Sequence, residues 1–326
     1  MGRIIWIFSL FLSLSLPPLY GARIQENIVL MGTTVQIILE DGSKREEKLR
    51  EILGNTVAYL TTLSERLSVY SSRSEVAFFN QAPVNEEIKV SSLLYSLLEA
   101  SREISRQTKG SFDITVFPLV KLWGFYKKER KVPPSLEEIL SLLPRVGYYY
   151  LELLPGGGVI KKKDVQIDLS GIAKGFIVDS GIEFIRRQKV RAALINAGGD
   201  LRVYGKRWRI GVADPRNPRG VLGVITLREG AVATSGDYQK FWEYKGKRFH
   251  HIIDPRSGYP AESGIISATV LSPQCWRADA LATALVVGGE EGLEWLKKKE
   301  EALLVKEENL EIVMSKGMKK YFQKLK

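Results

Sequence analysis

Two kinds of apolar spacing alternate along the chain. Between Lys44 and Val69, Leu49, Ile52, Leu53, Val57, Leu60, Leu63 and Leu67 form the stripe of an amphipathic helix. Ser91–Thr108 reads as a second helix, stopped by Lys109-Gly110. A third, short helix starts where Ser135 and Glu138 form a capping box behind Pro133-Pro134, and Pro144 ends it. A fourth is predicted at Ala278–Val287, closed by Gly288-Gly289. Strands are predicted at Met31–Leu39, Ala192–Ile195, Leu201–Tyr204, Trp208–Val212, Val221–Leu227, Ala231–Thr234 and Ser267–Leu271. Tyr148–Leu153 and Gly158–Lys163 flank Gly156-Gly157 as a hairpin, and Tyr244 and Phe249 flank Lys245-Gly246 as another. The tail reads as a helix, two strands and a basic helix. Strands interspersed with helices, without regular βαβ alternation, predict an α+β fold.

Val165–Asp179, V-Q-I-D-L-S-G-I-A-K-G-F-I-V-D, reads as a strand, a turn at Ser170-Gly171 and a helix opening at Ala173. A helix N-terminus beside bare glycine amides suits an anion. Asp168 is a candidate to hold the cation that accompanies a phosphate. By spacing alone, a purely structural turn explains the stretch equally well.

Residues 1–22 differ in kind. Arg3 precedes an apolar run from Ile4 to Leu16, then Pro17-Pro18 and the small pair Gly21-Ala22. That order matches a secretory signal, and the run is shorter than the roughly 20 residues of a bilayer span. Export is therefore expected, with residues 23–326 as one domain; retention of the segment as an uncleaved anchor stays open. The single Cys275 rules out an internal disulfide and a Cys-based metal site, and a buried inert thiol is its expected role. The formal net charge of +11 suits anionic ligands or an anionic membrane face. Scattered lysines on a solvated surface account for it equally.

Asp279 and Thr283 lie four positions apart and share one face of the predicted fourth helix. A carboxylate and a hydroxyl are hard oxygen donors, suited to Mg2+. Ala282 and Val286 make the rest of that face apolar, so Asp279 needs a partner. Asn196-Ala197-Gly198-Gly199-Asp200 and Ala233–Tyr238 are glycine-containing segments that either approach a ligand or simply bend. His250 and His251, adjacent in an extended segment, point to opposite faces. Nearby Asp254 would set the tautomer of a basic histidine. No Gly-x-Ser-x-Gly, P-loop or Gly-x-Gly-x-x-Gly motif is present, so serine-hydrolase, P-loop and Rossmann readings lose their motifs.

Eight motifs occur in order: Met31–Thr33 (M-G-T), Ser68–Glu75, Phe112–Leu119 with Trp123-Gly124-Phe125, Asp168–Gly175 (D-L-S-G-I-A-K-G), Asn196–Asp200 (N-A-G-G-D), Ala233–Asp237 (A-T-S-G-D), His251–Gly258 (H-I-I-D-P-R-S-G) and Ala278–Thr283 (A-D-A-L-A-T). In this the chain resembles the FAD:protein FMN transferase (ApbE) family. The resemblance implies an α+β fold of mixed or antiparallel sheets with packed helices, in two intertwined lobes around one flavin cleft. It implies an exported, periplasmic enzyme, at or near the inner membrane, that binds FAD with Mg2+. Such an enzyme attaches FMN through a phosphoester to a threonine of a partner protein and releases AMP. By similarity, flavin contacts fall on Met31, Tyr70, Ser111, Phe112, Asp113, Asp168, Lys174 and Ile253. Mg2+ contacts fall on Gly171 (through its carbonyl), Asp279 and Thr283. His251 aligns with the histidine of the family's H-I-I-D-P motif and is expected to activate the acceptor, with Lys174 offsetting phosphate charge. The family's usual lipidated cysteine after the signal is absent, which bears on anchoring rather than chemistry. An FAD pyrophosphatase and a non-catalytic flavin-binding protein remain as alternatives.

Overall fold

The computed structural model describes residues 22–325 apart from Lys128 and Pro218. The expected signal at residues 1–22 thus lies outside the described residues except for Ala22, which already belongs to a strand.

The chain opens with a hairpin, β1 (Ala22–Leu30) and β2 (Thr33–Asp41), joined by Met31-Gly32 at φ 55° and 70°. Positive φ at both loop residues is what a two-residue turn between twisted strands requires. The strand expected from Met31 therefore starts at Thr33, and Met31 packs sideways against the core. β1 escaped the sequence reading because only Ile24 of its nine residues is buried.

After Asp41 the chain leaves the sheet for a long helical excursion. It runs through α1 (Glu46–Leu67), α2 (Glu75–Gln81), β3 (Glu87–Lys89), α3 (Ser92–Gln107), α4 (Phe117–Leu122) and α5 (Leu136–Leu142). It then passes through β4 (Leu151–Leu154), β5 (Gly158–Lys161) and α6 (Ala173–Arg187). The predicted stripe of α1 is the buried one, and the Ser135–Glu138 capping box forms at α5. α2, read as loop and extended chain, is a helix because the Ser74 hydroxyl accepts from Ala77 N at 3.0 Å.

The return is β6 (Ala192–Ala197), hydrogen-bonded directly to β2. β7 (Asp200–Tyr204), β8 (Trp208–Ala213), β9 (Val221–Leu227), β10 (Gly230–Gly236), β11 (Phe241–Tyr244), β12 (Lys247–His250) and β13 (Ile265–Ser272) follow. α7 (Cys275–Gly288), β14 (Glu301–Lys306), β15 (Ile312–Met314) and β16 (Phe322–Lys324) complete the chain. The basic helix expected at the end is instead a short 3-10 turn, Met318–Lys320, leading into β16, which pairs with β9. Met318, fully buried in one core with residues of β8 and β9, fixes that turn.

The large sheet has eight strands in the order β1-β2-β6-β7-β10-β13-β14-β15, every pair antiparallel. Both of its faces are covered. In β14, Ala302 and Leu304 face the helices while Leu303 and Val305 face the β8–β9–β16 sheet. The period of two along a strand sends alternate residues to the two cores. A third, smaller core of Leu119, Trp123, Ile139, Val146, Phe249 and Ile253 sits beneath the separate β11–β12 ribbon. The class is α+β, as the strand and helix pattern predicts.

Candidate active site

The site forms where α6 and α7 cross. Gly175 stands at the contact: a Cβ there would lie 2.5 Å from Cys275 O and 2.7 Å from Trp276 Cα. Only a glycine lets the two backbones approach so closely. Neither helix has a side-chain cap of its own; each is capped by the other. Asp279 of α7 accepts from Gly175 N at 3.0 Å in the first turn of α6. Asp179 of α6 accepts from Cys275 N at 2.9 Å and Trp276 N at 3.0 Å in the first turn of α7, and from Arg202 at 2.9 Å. Carboxylates at helix N-termini satisfy orphan amides and meet the positive end of the dipole.

This arrangement turns one face of α7 toward the turn that precedes α6. Thr283, one helical turn beyond Asp279, packs against Gly171, whose added Cβ would be 3.5 Å from Thr283 Oγ1. The Phe112 ring lies on the same glycine, at 3.2 Å by the same measure, and Ser235 Oγ is 3.0 Å from Thr283 Oγ1. Gly171, Asp279 and Thr283, called from sequence as one group, are thus neighbours.

Lys174 pairs with Asp200 and lies 4.0 Å from Asp279. Burial opposes its charge, but the two carboxylates hold the ammonium protonated well above the usual lysine range. Asp279 is 2% exposed. Burial, together with the neighbouring Asp200 charge, raises its carboxyl to about 7 despite Lys174. Two buried carboxylates against one ammonium leave a site short of positive charge. Among the described residues no group of three or more His, Cys, Asp or Glu could hold a metal. The hard donors at hand are the second oxygen of Asp279, the Thr283 hydroxyl and the Gly171 carbonyl, oxygen ligands whose chemistry fits Mg2+.

The turn before α6 differs from the strand expected at Val165–Ile167. It is extended, with one parallel bridge between Gln166 and Val116. Its ladder partner is a side chain: Asn80 accepts from Ile167 N at 2.7 Å and donates to Ile167 O at 2.9 Å. Asp168, which follows, is half-buried and bonded to Ser170 N at 2.9 Å, with its carboxyl raised by burial.

Tyr70 is 48% exposed, its ring 5.1 Å from that of Tyr126, and its hydroxyl is raised by burial and by the Asp168 charge. Asp113 is buried and occupied: it accepts from Thr115 N, Thr115 Oγ1 and Tyr148 N at 2.7–2.8 Å, and burial raises its carboxyl nonetheless. Ser111 is buried with its hydroxyl unpartnered, the kind of group that a ligand satisfies. Ile253 is buried in the small core.

His251 follows the ribbon. Its backbone N and its Nδ1 both lie on the Lys240 carbonyl, at 3.0 and 3.2 Å. A carbonyl only accepts, so Nδ1 carries the proton and Nε2 is the basic nitrogen. Burial of the ring, with the charges of His250, Lys240 and Lys174, holds the imidazole down at about 3, so it is neutral at ordinary pH. Asp254 does not orient it: that carboxylate is held by Arg256 at 2.9 Å. His250 points elsewhere, to Ala261 O at 2.9 Å. Asn196–Asp200 is the β6–β7 hairpin turn, and what it contributes to the site is the Asp200 side chain.

Asp200 and Ser235 were flagged from sequence only as members of their glycine-containing segments, and Asp179 was given no role. A carboxylate inside the apolar stripe of α6, among Val178, Ile182 and Ile185, is the signal that could have disclosed Asp179.

The ApbE family model matches residues 31–305. The chain belongs to the ApbE family. An FAD:protein FMN transferase of Vibrio cholerae is 34% identical over 272 residues, covering 80% of each chain. One of Haemophilus influenzae is 35% identical over 277 residues, covering 80% of this chain and 79% of the relative. Among solved structures, the ApbE protein of Thermotoga maritima superposes with a TM-score of 0.85 at 33% identity, over 93% of this chain and 100% of its own. The flavin transferase ApbE of Vibrio cholerae gives 0.80 at 28% identity, over 92% and 99%.

Proposed function

We propose that this member of the ApbE family cleaves FAD and attaches FMN to a threonine of a partner protein, releasing AMP. The observation that carries the reading is a cation-deficient donor set at Lys174, together with a neutral His251 resting on Lys240, whose ammonium stands 5.9 Å from the exposed Tyr70 ring. Family membership and curated transferase relatives support it.

Tyr70 offers its ring to the isoalloxazine, with Phe112, Ser111, Asp168, Met31 and Ile253 as further flavin contacts, while Asp113 holds the loop that carries Ser111 and Phe112. Asp279, Thr283 and the Gly171 carbonyl would hold Mg2+, which when bound neutralises charge on the pyrophosphate oxygens. Lys174, itself paired with Asp200, stands 4.0 Å from the free oxygen of Asp279 and offsets its charge. His251 Nε2 takes the proton of the acceptor hydroxyl. The threonine oxygen forms a bond to the flavin-side phosphorus, the pyrophosphate P–O bond breaks, and AMP departs with the bridging oxygen. The phosphates of a bound substrate offset the nearby lysines and so make the imidazole a stronger base than in the free protein.

Export to the periplasm, with the mature domain near the inner membrane, rests on the sequence of residues 1–22 and is part of this proposal. Among the described residues no helix is long and apolar enough to cross a membrane.

The test combines purified protein, FAD, Mg2+ and an exported candidate acceptor carrying a threonine segment. Flavin fluorescence that stays with the acceptor through a denaturing gel is expected. Free FMN and AMP with an unlabelled acceptor would mean hydrolysis, and intact FAD would mean binding alone.

A further inference from the structure

Lys174 is the cation that α6 brings to the phosphate region, but two carboxylates of the protein already balance it. Beside His251 the site holds a lysine in a different state. Lys240 lies between β10 and β11, exposed to solvent. Its carbonyl is the group on which His251 rests. Its ammonium stands 5.9 Å from the centre of the Tyr70 ring. Among the described residues that ammonium enters no ion pair or hydrogen bond, while its charge reaches both Asp168 and His251.

We propose that the Lys240 ammonium binds the flavin-side phosphate of FAD, the one that is transferred, on the side approached by the acceptor hydroxyl. The inference rests on the transferase reading above. A phosphoryl group in transfer spreads negative charge over its equatorial oxygens, and cations on several sides stabilise it. Asp279, Thr283 and Lys174 serve one side. An uncompensated ammonium anchored through its own main chain to the base serves the other. Lys240 exchanges no proton: the threonine proton goes to His251, and Lys240 contributes charge and position only. A flexible four-carbon stem lets the ammonium move from the Tyr70 ring as the flavin settles there.

The contrasting role, a lysine that merely covers the Tyr70 ring, makes different predictions. Binding of FMN and of riboflavin to the full chain in Mg2+ buffer is measured by fluorescence quenching, for wild type, Lys240→Gln and Lys240→Arg. The two ligands differ in the phosphate alone. Wild type is expected to prefer FMN, with Lys240→Gln losing about tenfold of that preference, the scale of one hydrogen bond to a charged group, and Lys240→Arg keeping most of it. Transfer by Lys240→Gln falls at least in parallel. An FMN-to-riboflavin ratio that the glutamine leaves unchanged overturns the proposal, as does equal weakening of both ligands. A wild-type protein that labels no acceptor removes the transferase reading, while the binding ratio still decides the contact. Lys240 is exposed, so the variants fold, and matching melting curves check that.

Discussion

Replacing Gly175 by alanine adds one methyl group where α6 and α7 touch. The new carbon would lie 2.5 Å from Cys275 O, 2.6 Å from Cys275 C and 2.7 Å from Trp276 Cα, all main-chain atoms that cannot rotate away. Restoring ordinary contact of about 3.5 Å requires the helices to part by about 1 Å. Overpacking of this kind costs about 1–3 kcal/mol. The larger effect falls on function, because Gly175 N is the hydrogen-bond donor that fixes Asp279. A displacement of about 1 Å at a group that positions the reacting phosphate costs about a hundredfold in rate. Gly54→Ala is the control: it lies on the exposed face of α1 with nothing within 4 Å of the added carbon, and gains about 0.5–1 kcal/mol from the helix propensity of alanine. The assay is FMN transfer to an acceptor beside thermal melts of both variants. Gly175→Ala is expected to melt a few degrees lower and to lose most activity at any Mg2+ concentration. Full activity in that variant would refute the claim that the crossing positions Asp279.

Asp279→Asn is expected to abolish Mg2+-dependent transfer, and thermal shift with and without Mg2+ checks the cause. The folded carboxyl stands at about 7 against 3.8 unfolded, so the metal-free protein binds more protons folded than unfolded. Its stability falls as pH rises from about 4 to about 7, by up to roughly 4 kcal/mol, and stays low above that. The asparagine variant lacks this fall, and Mg2+ stabilises only the wild type; a fall of equal size in both would assign it elsewhere. Asp179→Ala strips the cap from α7 and one partner from Arg202, and urea titration should read a loss of roughly 3 kcal/mol. Trp242→Ala removes the donor to Trp123 O at 3.1 Å and the ring stacked 4.7 Å from Phe249. The ribbon then holds His251 less firmly, so kcat should drop about tenfold with the KM for FAD unchanged; a change confined to KM would contradict this.

What the sequence could disclose was local. A glycine turn opening a helix at Ala173, and a carboxylate and hydroxyl one helical turn apart, follow from spacing, and both stand in the fold. The partner that buried Asp279 needed was not legible, because Gly175 N belongs to a helix about a hundred residues earlier in the chain. Val165–Ile167 has the composition of a strand, yet its backbone pairs with the Asn80 side chain, a tertiary accident of position that no propensity records. β1 was hidden by its polarity, being an edge strand with one buried residue. Asp254 looked like the orienter of the histidine from proximity alone; the fold gives that carboxylate to Arg256 and supplies the Lys240 carbonyl instead. The resemblance carried what patterns left open, by bringing eight scattered motifs into one list of contacts. It named Lys174 and Asp279 but gave no role to Asp200, the carboxylate paired with that lysine.

On this reading Asp279 and His251 serve one transfer reaction. Mass spectrometry of a threonine-bearing acceptor incubated with wild type, Asp279→Asn and His251→Gln, in FAD and Mg2+, tests it most directly. Wild type is expected to leave an FMN phosphoester on threonine with one AMP released per modification, and Asp279→Asn neither product. His251→Gln should bind FAD normally and transfer at least a hundredfold more slowly. Acceptor modified at full rate by either variant, or AMP released by wild type with no modified acceptor, would contradict it.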